Sequence, residues 1–350
     1  MFCEGRDFMI ERWIARKEKE FLARDTNRRV LPFEWGIEFL GLHNGSNDPP
    51  RAMNEFVDWA MANSGEFFHH TPADQFHFDG FQLSFPSQIQ TPYSENNTVY
   101  ARYFPARHLA KQKQARPAVI VMPQWNSDEV AHVALASLFA RFGITALRMS
   151  MPYHDQRKPP HLERSDYMVS SNVGRTIQAS RQAILDARRC ADWLLRQGFN
   201  RLGIMGTSIG SSVAFLTFAH DERFEAGIFN HGSSYFGDVV WTGITTQHVR
   251  KGLETHLTQQ ELRRFWAPIS PFPFIKRLKQ NPRHMLIVSA KYDLSFLPCF
   301  SQDLFREYRN HGIPLEIQIM PCGHYTLGTF PFNWWVASRM IRFLRKSLLP

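Results

Sequence analysis

Residues Gly206-Thr207-Ser208-Ile209-Gly210 spell G-x-S-x-G. The motif follows RLGIMG (201–206), an apolar run that reads as a buried strand, and precedes a small-residue run that reads as a helix. A serine raised on so sharp a turn is strained, and side chains two positions either side would collide with the strand or the helix. Glycine at 206 and 210 relieves that collision. The turn also sets the serine at a helix N-terminus, where backbone N–H groups favour a developing oxyanion.

A lone serine hydroxyl is a poor nucleophile near neutral pH, so the turn implies a base and a group that orients it. Asp293 ends MLIVSAKYD and His324 ends IQIMPCGH, each just past a strand-like run. The expected roles are Ser208 as nucleophile, His324 as general base, and Asp293 as the acid that fixes the tautomer and stabilises the imidazolium. Each has a blander reading: a structural turn at Ser208, a surface histidine at 324, a helix N-cap at Asp293. Asp238, after strand 226–230, is the rival acid, whereas Asp303 falls mid-helix.

The oxyanion hole needs two N–H donors. One is expected from Ile209. The other belongs to Pro123-Gln124-Trp125-Asn126, after strand 118–122, where position favours Trp125, or else Gln124, with the Trp125 side chain walling the pocket. His154, His231 and Ser233 also follow strands and should lie on the active-site side. Such residues more often anchor their own loops than touch substrate. The adjacent His69-His70 lacks a third ligand at metal-binding spacing, and no G-x-G-x-x-G or Walker pattern is visible, so neither metal nor nucleotide cofactor is expected.

The elements that must position these groups alternate. Strands are expected at 118–122, 144–149, 201–206, 226–230, 285–290 and 315–320, and helices near 128–142, 173–197, after Ser208, 299–311 and 333–347. Near-continuous apolar strands joined by helices imply a mainly parallel sheet covered on both faces. FHFDGFQLSF (76–85) slips phase at Gly80, as at a bulge, and pairs with NTVYARYF (97–104) as an antiparallel edge. Residues 1–75 read as a helical N-terminal extension packed on a main domain, 76–350. Ile10, Trp13, Ile14 and Phe21 form an apolar stripe in it, and Phe56, Trp59 and Ala60 mark a helix ending at the Ser64-Gly65 break. A small helical cap is expected at about 235–273, with Thr258-Gln259-Gln260-Glu261 as a capping box.

From about residue 76 onward the chain resembles the α/β-hydrolase superfamily, in which the triad runs in the order Ser, Asp, His. The stretch ELRRFWAPISPFPFIKRLKQNPRHMLIVSAKYDLSF is similar to the segment before the catalytic acid in bacterial esterases and dipeptidyl-peptidase-like hydrolases. The layout also resembles the α/β-hydrolase domain-containing protein 18 group. Many relatives carry His-Gly or Gly-Gly-Gly where this chain has Gln124-Trp125. The resemblance implies an α/β-hydrolase fold and cleavage of an ester, thioester or amide through an acyl-enzyme. A carboxylic ester with a small or medium acyl group is the expected substrate; a peptidase, thioesterase, acyltransferase or non-catalytic ligand-binding member are the alternatives.

Composition narrows the setting. The chain has 350 residues, 43% hydrophobic and 21% charged, which excludes wholesale disorder. Its net charge of +9 is spread along the chain without a block of like charge or a nucleic-acid motif. No nucleic-acid partner is expected, and peripheral contact with an anionic membrane is compatible with the basic surface. Cys3, Cys190, Cys299 and Cys322 lack paired spacing and read as free thiols. No signal-peptide pattern or apolar run of about 20 residues is present, so a cytoplasmic location is the expectation.

Overall fold

The computed structural model describes residues 2–42, 48–106 and 115–349. Its strands are β1 (His77–Phe78), β2 (Gln82–Pro86), β3 (Thr98–Phe104), β4 (Pro117–Met122), β5 (Thr145–Met149), β6 (Arg201–Thr207), β7 (Phe224–Asn230), β8 (His284–Ala290) and β9 (Glu316–Met320). They form one sheet in the order β1-β2-β3-β5-β4-β6-β7-β8-β9. Strands β1, β2 and β3 pair antiparallel, β3 joins β5 antiparallel, and every pairing from β5 to β9 is parallel. The order reverses around β4, which lies between β5 and β6. A crevice therefore opens at the carboxyl ends of the central strands.

Helices α1 (Phe2–Ala23), α2 (Pro49–Ala62) and the single turn α3 (Ser64–Phe67) precede the sheet. Next come α4 (Val133–Arg141), α5 (Val173–Arg196) and α6 (Ile209–His220). An insertion between β7 and β8 holds α7 (Phe236–Thr242), α8 (Gln247–Leu253) and α9 (Gln259–Phe265), and α10 (Pro298–Asn310) and α11 (Phe332–Leu348) follow. Alternate residues of the strands feed opposite faces. Ile120, Met122, Ile204 and Ile287 pack with residues of α5 and α6, whereas Val119, Val121, Met205 and Val288 pack with residues of α4 and α11. The central strands are buried on both sides, which is why they read as continuous apolar runs.

One local expectation needs correcting. Gly80 is not a bulge: β1 and β2 are separate strands, with His77 opposite Ser84 and Phe78 opposite Leu83. The phase slip is a turn, in which Gly80 has φ 98° and Asp79 Oδ1 accepts the N–H groups of Phe81 and Gln82. Helix α2 ends just before Ser64-Gly65, as its sequence suggests, and Ser64 opens the single turn α3 directly after it. The apolar stripe expected near the N-terminus does lie on a helix, α1, and is only partly buried. Of its members only Ile14 is buried and Ile10 and Trp13 are exposed, and among the described side chains of that helix the other buried one is the carboxylate of Glu18.

The segment after α1 is tied to the body by a bridge between Glu34 and Asn172 at the start of α5, with Val173 N–H donating to Glu34 O (3.0 Å). In the insertion Thr258 and Glu261 make a reciprocal capping box at the start of α9, and Phe265 and Trp266 are buried. Among the described residues, Cys190, Cys299 and Cys322 are free thiols, and no helix is long and apolar enough to cross a membrane. The Cys3 side chain lies outside the described part.

Candidate active site

Ser208 sits between β6 and α6 with φ 59° and ψ −125°, a conformation that costs an L-residue about 1–3 kcal/mol. Its N–H donates to Asn230 O at the end of β7 (2.9 Å), which pins the turn to the neighbouring strand. The flanking glycines are sterically required. A Cβ at Gly206 would lie 1.9 Å from Gly210 O, and one at Gly210 would lie 2.5 Å from the carbonyl oxygens of Met122 and Pro123. Gly206 is thus required by the turn itself, and Gly210 by the close approach of α6 to the end of β4. Ser208 Oγ makes no hydrogen bond to another described residue and faces a cavity of about 750 Å³.

Asp293 follows β8 and is buried. Its Oδ1 accepts the N–H groups of Ser295 (2.8 Å) and Phe296 (2.7 Å), so it caps its own turn rather than α10. Its Oδ2 lies 2.9 Å from His324 Nδ1 and also 2.9 Å from His231 Nδ1. An ionised carboxylate only accepts, so both imidazoles carry their hydrogen on Nδ1. The two rings are 4.1 Å apart between centroids. His231 and His324 line the same cavity as Ser208. His231 was visible in the sequence as a residue past a strand; nothing in its spacing linked it to Asp293.

The electrostatics follow from this shared carboxylate. Burial would raise Asp293, but the adjacent His324 charge and the hydrogen bonds from both imidazoles hold it well below the usual carboxylate range. Burial pulls His324 down, yet the Asp293 charge and hydrogen bond, joined by Glu18, carry its net value above 6.5. His231 falls below 6.5, first through burial and then through the His324 charge. His324 is therefore the imidazole that takes a proton first. Asp238 lies elsewhere, on α7, where it pairs with Arg263 (3.0 Å) and accepts from Gln259 (2.9 Å).

The loop after β4 is held on both sides. Trp125 Nε1–H donates to Ser165 O (2.9 Å), and the Trp125 ring stacks on His248 at 5.6 Å and lines the cavity. His154 is fully buried; its Nδ1–H donates to Pro152 O (2.8 Å) and its Nε2 accepts the Asn126 N–H (2.9 Å). It anchors the loop and is held neutral, since burial pushes it down to about 4. With the Asn126 N–H engaged, Trp125 and Ile209 keep N–H groups that no carbonyl of the surrounding turns accepts. His132 joins the cavity wall with Nε2 2.9 Å from Thr207 Oγ1, and burial lowers it to about 4. Leu135, Leu138, Trp334 and Met340 supply the apolar wall, and Asp25, Arg28 and Arg164 a polar one.

His69 is exposed, and His70 contacts Asp192 (3.2 Å) within an ion-pair network with Arg223, none of whose members lines this cavity. Only one group of donors suits a metal among the described residues: His231, Asp293 and His324, whose ligand atoms lie within 4.8 Å of one another. In this arrangement Asp293 Oδ2 accepts a hydrogen bond from the Nδ1 of each ring, so the three groups form a hydrogen-bonded cluster. Ser233 is buried without a role at the cavity.

The family model Alpha/beta hydrolase domain containing 18 matches residues 83–226, and the Prolyl oligopeptidase family model matches residues 178–348. The chain belongs to the α/β-hydrolase superfamily. Within that superfamily it lies near the Alpha/beta hydrolase domain containing 18 group. No curated protein sequence matches it. Among solved α/β-hydrolase structures, an acylaminoacyl peptidase of Pyrococcus horikoshii matches with a TM-score of 0.57 and 14% identity, over 79% of this chain and 42% of that one. Acetyl xylan esterase 1 from Thermoanaerobacterium sp. matches with a TM-score of 0.59 and 15% identity, over 84% and 98%. An esterase of Pyrococcus furiosus matches with a TM-score of 0.53 and 14% identity, over 80% and 98%. The chain spans less than half the length of the acylaminoacyl peptidase; at these identities the likeness establishes the fold.

Proposed function

We propose that this α/β-hydrolase is a serine hydrolase that cleaves carboxylic esters through an acyl-enzyme. One observation carries the reading: a strained Ser208 and a His324 hydrogen-bonded to the buried Asp293 face the same cavity. In the proposed reaction His324 Nε2 takes the Ser208 proton as Oγ attacks the acyl carbon. The carboxylate of Asp293 holds the Nδ1–H tautomer and stabilises the imidazolium, and the N–H groups of Ile209 and Trp125 receive the oxyanion. His324 then protonates the leaving alcohol, and water, deprotonated by the same imidazole, releases the acid. The Leu135, Leu138 and Met340 wall suits a small or medium acyl chain.

The Prolyl oligopeptidase family match over 178–348 favours a second reading, amide cleavage at the same residues. Fluorophosphonate labelling tests the shared chemistry: wild-type protein should label at Ser208 and Ser208→Ala should not, with unchanged circular dichroism. Labelling that persists at another serine removes the assignment. A panel of p-nitrophenyl esters against acyl-amino-acid p-nitroanilides separates the two readings, with esters expected to turn over faster.

A further inference from the structure

We propose that Glu18, on the N-terminal helix α1, is a positioning residue for His324, so that the extension is a working part of the active site. The inference rests on the proposed role of His324. A buried carboxylate is costly unless its oxygens are hydrogen-bonded, and Glu18 is completely buried. Its Oε2 accepts the Tyr325 N–H (2.9 Å), and its Oε1 accepts the Thr326 N–H (2.9 Å) and the Thr326 hydroxyl (2.9 Å). Those two N–H groups belong to the residues directly after His324. The carboxylate therefore caps the turn that carries the base, and it does so from a helix about 300 positions away in the chain.

The packing is specific to that carboxylate. A Cβ at Gly323 would lie 2.5 Å from Glu18 Cδ and 2.6 Å from Oε1, so the residue before His324 leaves room only for this side chain. Thr326 closes the turn by accepting the Gly323 N–H at its Oγ1 (2.7 Å). Phe21, one turn further along α1, stacks on Tyr325 at 5.9 Å, and Arg28 donates to the Tyr325 hydroxyl (3.1 Å). His324 is thus held from two directions: its ring by Asp293, its backbone by Glu18. The charged and titratable groups around this turn are Asp293, His231, Cys322, Tyr325, Glu18, and Arg28 with its partner Asp25. Of these only Asp293 and Glu18 act on His324 to raise its pKa.

Displacement of a catalytic group by about 1 Å costs on the order of 10²-fold in rate. We expect Glu18→Ala to lower kcat for p-nitrophenyl butyrate by about that factor with KM changed less than about threefold, since α1 does not build the acyl wall. The acid limb of kcat/KM should move to lower pH. Glu18→Gln keeps the shape but sets an amide N–H against the donors of Tyr325 or Thr326. It should give a smaller loss of the same kind and serves if the alanine variant does not fold. Gly323→Ala should be rescued in part by Glu18→Ala, because the collision is with that side chain. Wild-type kcat and an unmoved pH profile in a folded Glu18→Ala protein would overturn the proposal. A wild-type protein that fails to label at Ser208 would instead overturn the hydrolase reading on which it rests.

Discussion

Replacing Asp293 by Asn tests the centre of the site with almost no change of shape. The carboxylate accepts four hydrogen bonds, two from the N–H groups of Ser295 and Phe296 and two from imidazole Nδ1 atoms. An asparagine can keep its carbonyl oxygen on the two backbone donors and so preserve the turn. Its amide N–H groups then point at His231 and His324, and each ring must give up its Nδ1 hydrogen and carry it on Nε2. Ser208 Oγ would face a donor where it needs an acceptor. The opposite amide orientation sets donors against the N–H groups of Ser295 and Phe296, leaving buried groups unpaired. In a serine protease the equivalent tautomer error costs about 10⁴ in kcat, or roughly 5 kcal/mol of barrier.

The assay is kcat for p-nitrophenyl butyrate together with the rate of fluorophosphonate labelling, on protein shown by thermal melting to be folded. KM should change little, because Asp293 is not among the cavity-lining residues. Asp238→Asn is the comparison. That carboxylate serves Arg263 and Gln259 within the insertion, so its loss should lower Tm more than it lowers kcat. Labelling of Asp293→Asn at the wild-type rate, or a more severe loss in Asp238→Asn, would refute the reasoning.

Further outcomes follow from the same geometry. The base must be neutral to act, and its pKa is raised, so kcat/KM should rise with pH through one ionisation above 6.5; His231, held below 6.5, should add no second step in that range. The stability linkage runs the other way: the His324 contribution is full below about 6.5 and lost as pH rises through its folded value, which a pH series of denaturant melts would detect. EDTA should leave the rate unchanged, since the proposed Ser208–His324–Asp293 chemistry routes no step through a metal, and inactivation reversed by zinc would contradict this. Gly210→Ala should destabilise by about 1–3 kcal/mol through overpacking and abolish labelling, as its Cβ meets two carbonyl oxygens at 2.5 Å; an unchanged Tm would count against the steric account. Arg157→Met should cost about 3–5 kcal/mol by stranding the fully buried Asp186, 2.8 Å away, whereas Arg157→Met with Asp186→Leu should cost much less in chemical denaturation.

What can be read from the residues alone is local. A strand, a G-x-S-x-G turn and a helix occur within one short stretch, and the collisions that demand Gly206 and Gly210 involve the turn itself and the next strand end. The central parallel strands were legible because burial on both faces leaves a continuous apolar run, and Asp293 because it follows such a run, whereas His324 was legible only as a residue past the final strand, β9, which alternates and leaves Ile317 and Ile319 exposed. The Thr258–Glu261 capping box was legible for the same reason, its partners being three residues apart. Tertiary structure alone decided the rest. His231 meets Asp293 across 62 positions and Glu18 meets Tyr325 across 307, and no spacing rule encodes such distances. The burial of the α1 stripe was not legible for a related reason: helical periodicity states which residues share a face, but what lies opposite depends on the packed body. There it buries Ile14 and a carboxylate that finds three donors, and leaves Ile10 and Trp13 in solvent.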